Sequence, residues 1–219
     1  MNRSYETEIM DDFSILDERI DAALKELKVI NKYLGGISTT KTALKYFIGA
    51  DNQGLNILDI GSGSSDNLIA AKRKFSNLKV LSIDKNFRAL KSTKNSLSKI
   101  NSDAFYLPFK NESCDIIHTA LFLHHFTEEQ IQILLKEFLR ICKKGIIIND
   151  LQRSFLALWG IKTLTFFFSK SEMVKNDAPL SVKRGFTKPE LIKLLSNECF
   201  SNIIIKNKWA FRWMIVINK

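Results

Sequence analysis

Apolar and polar positions alternate along this chain in two periods. From Asp12 to Leu34 the apolar residues Phe13, Leu16, Ile20, Leu24, Leu27 and Ile30 recur at helical spacing, and Gly35-Gly36 ends the run. A second helix is expected over 39–48, stopped by Gly49, while residues 1–10 are expected to fray. Short apolar runs and helical runs then take turns. Strands are expected at 56–60, at 78–83 ending in Asp84, near Ala104, at 114–120 and at 145–149. Helices are expected at 66–75 with Asp66 as N-cap, at 87–97, and from a Thr127 cap to Cys142. The 145–149 run is nearly all isoleucine, which fits a strand covered on both faces. Residues 151–185 break the rhythm with an apolar helix and then a polar loop holding Asp177, Pro179, Lys183 and Arg184. Thr187 should cap a last helix to Cys199, before strands at 203–208 and 211–218. The alternation predicts an α/β fold with a doubly wound, mostly parallel sheet.

Length fits that fold in one domain over 1–219, divided as an N-terminal helical cap (1–50), a core (51–150), an insert (151–185) and a last helix with a strand pair (186–219). The three cysteines, 114, 142 and 199, are far apart, so neither a disulfide framework nor a zinc site is expected and a cytoplasmic setting fits. The acidic, polar start does not read as a signal peptide, and no apolar run reaches membrane-spanning length. Net charge is +10 but uneven: −4 over residues 1–30, +6 over 31–150 and +8 over 151–219. The basic last third suits nucleic acid, an anionic membrane surface or an acidic substrate, and equally an ordinary lysine-rich surface.

Chemistry concentrates where the first strand meets its helix, Asp59-Ile-Gly61-Ser62-Gly63-Ser-Ser65-Asp66. Gly61 and Gly63 let backbone approach a ligand, and the helix beyond offers unpaired N–H groups. A pyrophosphate loop would carry G-x-G-x-x-G, but here Asp66 takes the sixth position and Asp59 stands before the loop. Two acids repel a pyrophosphate and suit a ligand with a cationic end. Asp84 ends the next strand, where an acid can hold both ribose hydroxyls.

These stretches resemble class I S-adenosylmethionine-dependent methyltransferases of the ubiquinone/menaquinone-methyltransferase-like superfamily. Asp59, Gly61 and Gly63 match motif I, while Ser65 stands at the third glycine, where a side chain either tightens the turn or crowds the helix. Ile83-Asp84-Lys85-Asn86 through Leu90 resembles the ribose motif, and Asp103-Ala104 with Leu107-Pro108-Phe109 resembles the adenine motif. The resemblance implies a Rossmann-like seven-stranded sheet with helices on both faces, N-terminal helices and a helical insert after strand 5. It implies S-adenosylmethionine as cofactor, S-adenosylhomocysteine as product, and cofactor contacts at Asp59, Gly61, Ser62, Gly63, Asp84, Lys85, Asp103, Ala104 and Thr119. Asn31-x-x-Leu34-Gly35-Gly36 and the 149–187 stretch resemble a subgroup whose members accompany type III polyketide synthases.

The segment from His118 to Phe126 follows the fourth strand, beside the place of the transferred methyl. A phenol or thiol acceptor gains from losing its proton, so His124 and His125 are catalytic candidates, and packing or helix capping is the alternative. Asp150 is a third candidate and, like Arg153, orients an acceptor or forms a salt bridge. Arg153, Phe155, Trp159 and Arg184 are the expected acceptor contacts. No metal is expected, since adjacent histidines seldom share an ion without further ligands. The first helix is expected either as a lid or as packing on the sheet.

The expected activity is methyl transfer to a small hydrophobic, phenolic or polyketide-like acceptor, with oxygen favoured over carbon. Nucleic-acid methylation is disfavoured, because the fourth strand ends in His118-Thr-Ala-Leu and lacks the Asn/Asp-Pro-Pro-Tyr/Phe signature of amino-methylating enzymes. A non-catalytic binder is disfavoured by the intact Asp59, Asp84 and Asp103, and NAD chemistry by Asp66 and the missing third glycine. Residues 154–169 are expected as a place for peripheral membrane contact.

Overall fold

The computed structural model describes residues 1–12, 18–48, 54–93, 97–196 and 200–219. Helices α1 (Glu18–Tyr33) and α2 (Gly36–Leu44) precede β1 (Leu55–Ile60). There follow α3 (Asp66–Lys72), β2 (Leu78–Asp84), α4 (Phe87–Ser92), β3 (Ser98–Asn101), β4 (Cys114–Ala120), α5 (Glu128–Ile141) and β5 (Cys142–Leu151). Helices α6 (Phe155–Phe168), α7 (Glu172–Arg184) and α8 (Lys188–Leu195) lead to β6 (Ser201–Lys208) and β7 (Arg212–Asn218).

The seven strands form one sheet in the order β3-β2-β1-β4-β5-β7-β6. The first five run parallel, and β7 is antiparallel to both β5 and β6. The order reverses between β1 and β4, so a crevice opens beyond their carboxyl ends. Ile146, Ile147 and Ile148 of β5 are buried on both faces, as their run of isoleucines predicts. One core packs α5 and α8 on the sheet through Ile131, Leu134, Phe138 and Leu191, and another packs α2 and α3 on the opposite face through Ala43, Leu44, Leu68 and Ala71. A third joins α1 (Ile20, Ala23) to α6 (Ala157, Ile161) and α7 (Met173, Val174, Val182), away from the sheet.

Four expectations are corrected. The polar loop after the apolar helix is helix α7, with Pro179 inside it. Its polar residues are not loop residues: Ser171 caps Val174, and buried Asp177 accepts hydrogen bonds from the backbone N–H of Ile9 and Met10. Residues 1–10 do not fray, because α7 holds them: Ser4 N–H donates to the Lys183 carbonyl, and the Arg3 Nε donates to the Arg184 carbonyl. The third strand lies at Ser98–Asn101 and not near Ala104. Asp66 opens α3 in its first turn, while Ser65 takes the N-cap position. The expected helical positions Phe13 and Leu16, the Gly49 stop, the 94–96 part of helix 87–97 and the Cys199 end lie outside the described residues.

Candidate active site

The loop after β1 turns through three residues in the left-handed region, Gly61 (φ 63°), Gly63 (φ 50°) and Ser65 (φ 54°). A Cβ at Gly61 would lie 2.0 Å from the Phe122 ring, whereas one at Gly63 would meet nothing within 4 Å. Gly61 therefore gives room to a neighbour, and Gly63 leaves room for a ligand. Ser65 adopts the conformation that favours glycine and anchors it with its side chain. Its Oγ donates to Asp59 Oδ2 (2.7 Å) and lies 2.7 Å from Ser82 Oγ. The other Asp59 oxygen meets His118 Nδ1 at 2.7 Å, and His118 Nε2 meets Thr40 Oγ1 at 2.9 Å. Thus the Ser65 side chain tightens the turn by tying it to strands β1 and β2.

Asp84 lies at the carboxyl end of β2, facing that loop. Its Oδ2 accepts from Gly63 N–H (2.7 Å) and its Oδ1 from Asn86 N–H (2.8 Å). Burial pushes the Asp84 carboxyl above its usual range, although both backbone donors oppose this. Such a carboxylate is fixed in place and keeps lone pairs for further donors. Asn86 caps α4 by accepting from Arg88 and Ala89 N–H. Beyond β3, Asp103 Oδ1 accepts from Phe105 N–H, and its Oδ2 pairs with Lys85 Nζ at 2.9 Å. Burial raises the Asp103 carboxyl, but the Phe105 N–H and Lys85 outweigh it and hold the group below the usual range.

Two histidines and three acids form a second cluster, beyond β4 and β5. Asp150 ends β5, and its Oδ2 accepts from Leu123 and His124 N–H, fixing a 3-10 turn over Leu123–His125. Its Oδ1 meets His124 Nδ1 at 2.6 Å. His124 Nε2 has no hydrogen-bond partner, and Glu8 Oε1 faces it at 3.6 Å, longer than a hydrogen bond. Burial opposes charge on His124, yet Asp150 and Glu8 overcome it and raise its pKa to about 9. His124 is therefore an imidazolium at neutral pH, held between two carboxylates. Burial likewise opposes ionisation of Glu8, but the two histidines hold it below its usual range. The His125 ring lies 4.3 Å from that of His124, and its Nδ1 meets Asp11 at 3.0 Å. Despite burial, His125 and Arg184 bring Asp11 down to about 2. Glu8, His124 and His125 each bring a side-chain nitrogen or oxygen within 4.8 Å of the others, so the three form one close cluster of charged and polar groups.

Both clusters open into one cavity of about 1000 Å³. Gly61, Gly63, Asp84, Lys85, Asp103 and Ala104 line one end, and Glu8, Asp11, His124 and His125 the other. The remaining wall is mainly apolar: Leu24, Leu27 and Ile30 of α1, Ile161 and Leu164 of α6, Val182 of α7, and Phe105, Phe122 and Phe126. Helix α1 is thus a wall of the cavity. An adenosyl ligand fits the first end. Gly63 leaves it open space, Asp84 is a fixed half-buried acceptor, and Asp103 with Ala104 offers polar groups at the far side.

Several expected contacts are not in the cavity wall. Asp59 is buried behind the loop with both oxygens engaged, and Asp66 pairs with Lys28 of α1 at 2.5 Å, so neither stands free beside a cationic ligand end. Ser62 and Thr119 also lie outside the wall, each with a buried hydroxyl that has no partner among the described residues. Asp150 acts on the cavity only through His124. Arg153 and Arg184, expected as acceptor contacts, are buried and brace the backbone. Arg153 holds the Gly185 and Met1 carbonyls and Glu190, while Arg184 holds the Glu6, His124 and His125 carbonyls and Asp11. Phe155 and Trp159 point to solvent from the outer face of α6. Glu8, Asp11 and the α1 leucines were missed by reading the sequence. The helical apolar stripe of α1 signals its leucines, while Glu8 and Asp11 precede that helix and carry no such pattern.

The sequence over residues 57–145 matches the family model described as a methyltransferase domain. No curated protein matches the chain. Among solved structures, the plantazolicin methyltransferase BpumL, bound to S-adenosylhomocysteine and a desmethyl analogue, superposes with a TM-score of 0.67 at 16% identity, covering 94% of this chain and 92% of that one. Magnesium protoporphyrin IX methyltransferase from Synechocystis PCC 6803 gives 0.58 at 15% identity, covering 84% and 83%. A longer chain from Nostoc punctiforme PCC 73102 gives 0.60 at 18% identity, and the present chain covers 57% of it. At these identities the likeness is one of fold. Residues 57–145 thus match a methyltransferase domain, and the described fold is shared with methyltransferases solved with S-adenosylhomocysteine.

Proposed function

We propose that the protein methylates an oxygen of a small hydrophobic acceptor, phenolic or polyketide-like, held in the cavity between α1, α6 and α7. The observation that carries this reading is that the cavity, beyond the end lined by Asp84 and Asp103, has a mainly apolar wall with a charged cluster at Glu8, Asp11, His124 and His125. Such a site orients an acceptor by its polar atom and holds the rest by burial. S-adenosylmethionine supplies an electrophilic methyl on a good leaving group, so the protein's share of the chemistry is to place and ready the acceptor.

His124 carries the positive charge, and its Nε2 is buried beside Glu8 without a hydrogen-bond partner. An acceptor oxygen docked there receives a hydrogen bond from an imidazolium, which stabilises its anionic form. Asp150 holds the ring orientation from behind. The leaving proton passes to Glu8 or His125, the two titratable groups beside that nitrogen. Asp84 and Asp103 are placed for the ribose and adenine of the cofactor. The named fold relatives are methyltransferases of plantazolicin and of magnesium protoporphyrin IX, so fold alone does not select an acceptor. Carbon methylation of a phenolic ring uses the same docked phenolate.

Transfer of labelled methyl to a panel of phenols and to RNA tests the reading. Label in organic-extractable phenols is expected, and label confined to RNA would refute it.

A further inference from the structure

Helix α6 is apolar nearly all round, although it lies at the surface. Its inner side packs Ala157, Ile161 and Thr165 against the protein, and Ala157, Ile161 and Leu164 reach the cavity. Its outer side presents Phe155, Leu156, Trp159, Phe166 and Phe167, each between 70% and 74% exposed. At 3.6 residues per turn these five fall within an arc of about 120°. A surface helix ordinarily turns a polar face to water, so a coherent aromatic face of this size marks a surface that meets something apolar. The helix is too short to cross a membrane, and no helix among the described residues is long and apolar enough to do so.

What lies beside this face identifies its partner. A second cavity of about 400 Å³ opens between α6 and α7, against Phe166. Lys162, Lys175 and Lys183 line it, together with Glu6, Thr165, Asn176, Pro179 and Leu180. Lys175 pairs with Glu172 at 2.8 Å, whereas Lys162 and Lys183 have no carboxylate partner among the described residues. Lys170 follows the end of the helix, and the segment 151–219 carries a net +8. Exposed aromatic groups next to unpaired lysines match an anionic bilayer, in which rings enter the acyl boundary and ammonium groups meet phosphates.

We propose that the outer face of α6 docks on the surface of an anionic lipid bilayer, with Phe155, Leu156, Trp159, Phe166 and Phe167 inserted and Lys162 and Lys183 on lipid phosphates. The same helix walls the large cavity on its inner side. Docking there places the acceptor cavity one helix thickness from the bilayer, so the acceptors it serves are those that dissolve in lipid. The docking step does not depend on the proposed chemistry, because binding to vesicles is read without turnover.

The test is co-sedimentation of the full chain with vesicles of phosphatidylcholine alone or with a quarter phosphatidylglycerol. Binding to the mixed vesicles is expected to be at least ~10-fold tighter, by the lysine contribution. A Phe166→Ser/Phe167→Ser variant, with its fold checked by circular dichroism, is expected to lose roughly tenfold in partitioning per ring removed. A Lys162→Gln/Lys183→Gln variant is expected to lose roughly fivefold per lysine, on the anionic vesicles alone. Trp159 fluorescence should be quenched by brominated acyl chains. No binding to the anionic vesicles, or binding unchanged in both variants, overturns the proposal. So does a native dimer that the phenylalanine variant splits while vesicle binding is absent.

Discussion

Replacing Ser65 by glycine, the residue this turn ordinarily takes, should destabilise the protein. Ser65 sits at φ 54° and ψ 25°, and it is buried. A left-handed conformation costs a residue with a Cβ about 1–2 kcal/mol, which glycine would recover. Against this, glycine loses the hydrogen bond to the Asp59 carboxylate, about 1.5–3 kcal/mol, and the one shared with Ser82, about 1 kcal/mol. The net loss is about 0.5–3 kcal/mol for Ser65→Gly. Ser65→Ala loses the same bonds and keeps the strain, so it should cost about 2.5–4 kcal/mol. For a chain of this length each kcal/mol moves Tm by about 2–4 °C, so the expected falls are roughly 1–12 °C and 5–16 °C. Urea unfolding of the three proteins, followed by circular dichroism, gives the ranking directly. Ser82→Ala should cost less in the Ser65→Ala background than alone, because the two hydroxyls share one bond. A Ser65→Gly protein as stable as the native one would refute the reasoning, since the turn would then owe nothing to the serine side chain.

The His124 pKa of about 9 lies above its unfolded value of 6.5, so the charged ring adds stability fully below pH 6.5 and loses it as pH rises through about 9. Thermal unfolding across pH 6 to 10 should show that loss in the native protein and not in His124→Gln, and a flat native profile would count against the imidazolium. In Asp150→Asn one of the two carboxylates that raise His124 is lost, and NMR titration should place its midpoint below that of the native protein. Gly61→Ala brings a Cβ to 2.0 Å from the Phe122 ring and should lower stability by more than about 2 kcal/mol, whereas Gly63→Ala meets open space and should cost about 1–2 kcal/mol for its backbone alone. Calorimetry should nevertheless find S-adenosylhomocysteine binding weakened at least ~10-fold in Gly63→Ala, because that methyl group enters the ligand's space, and unchanged affinity would remove Gly63 from the cofactor site. Asp84→Asn should lose roughly 10-fold or more in the same titration, the worth of a hydrogen bond to charge, and full affinity would end the ribose assignment.

Sequence revealed the sheet because its central strands are short apolar runs, each followed by a turn signal. It misplaced β3, whose Ser98–Asn101 sequence is polar and half exposed at the sheet edge, with no apolar pattern to read. Helix α7 was hidden for a different reason. Its buried Asp177 and Arg184 have polar partners in the N-terminal segment, and a polar residue satisfied by a distant backbone looks like a solvated one. One end of the cavity was legible, since its lining residues Gly61, Gly63, Asp84, Asp103 and Ala104 lie in three short motifs at strand ends. The acceptor end was legible only in part. His124 and His125 stood out, but Glu8 and Asp11 reach them across more than a hundred residues, and no local pattern encodes that contact. Arg153 and Arg184 carry the charge of ligand-binding residues and serve instead to fasten carbonyls of the N-terminal segment and the 124–125 turn.

The central claim concerns the oxygen that docks at His124 and receives the methyl. Its most direct test compares labelled-methyl transfer into a lipid-soluble phenol with transfer into the same phenol capped as its methyl ether. Label is expected in the free phenol alone, as the new ether, with kcat reduced at least ~100-fold in His124→Gln. Label in the capped compound at an equal rate, or transfer to the phenol undiminished by His124→Gln, would contradict the account.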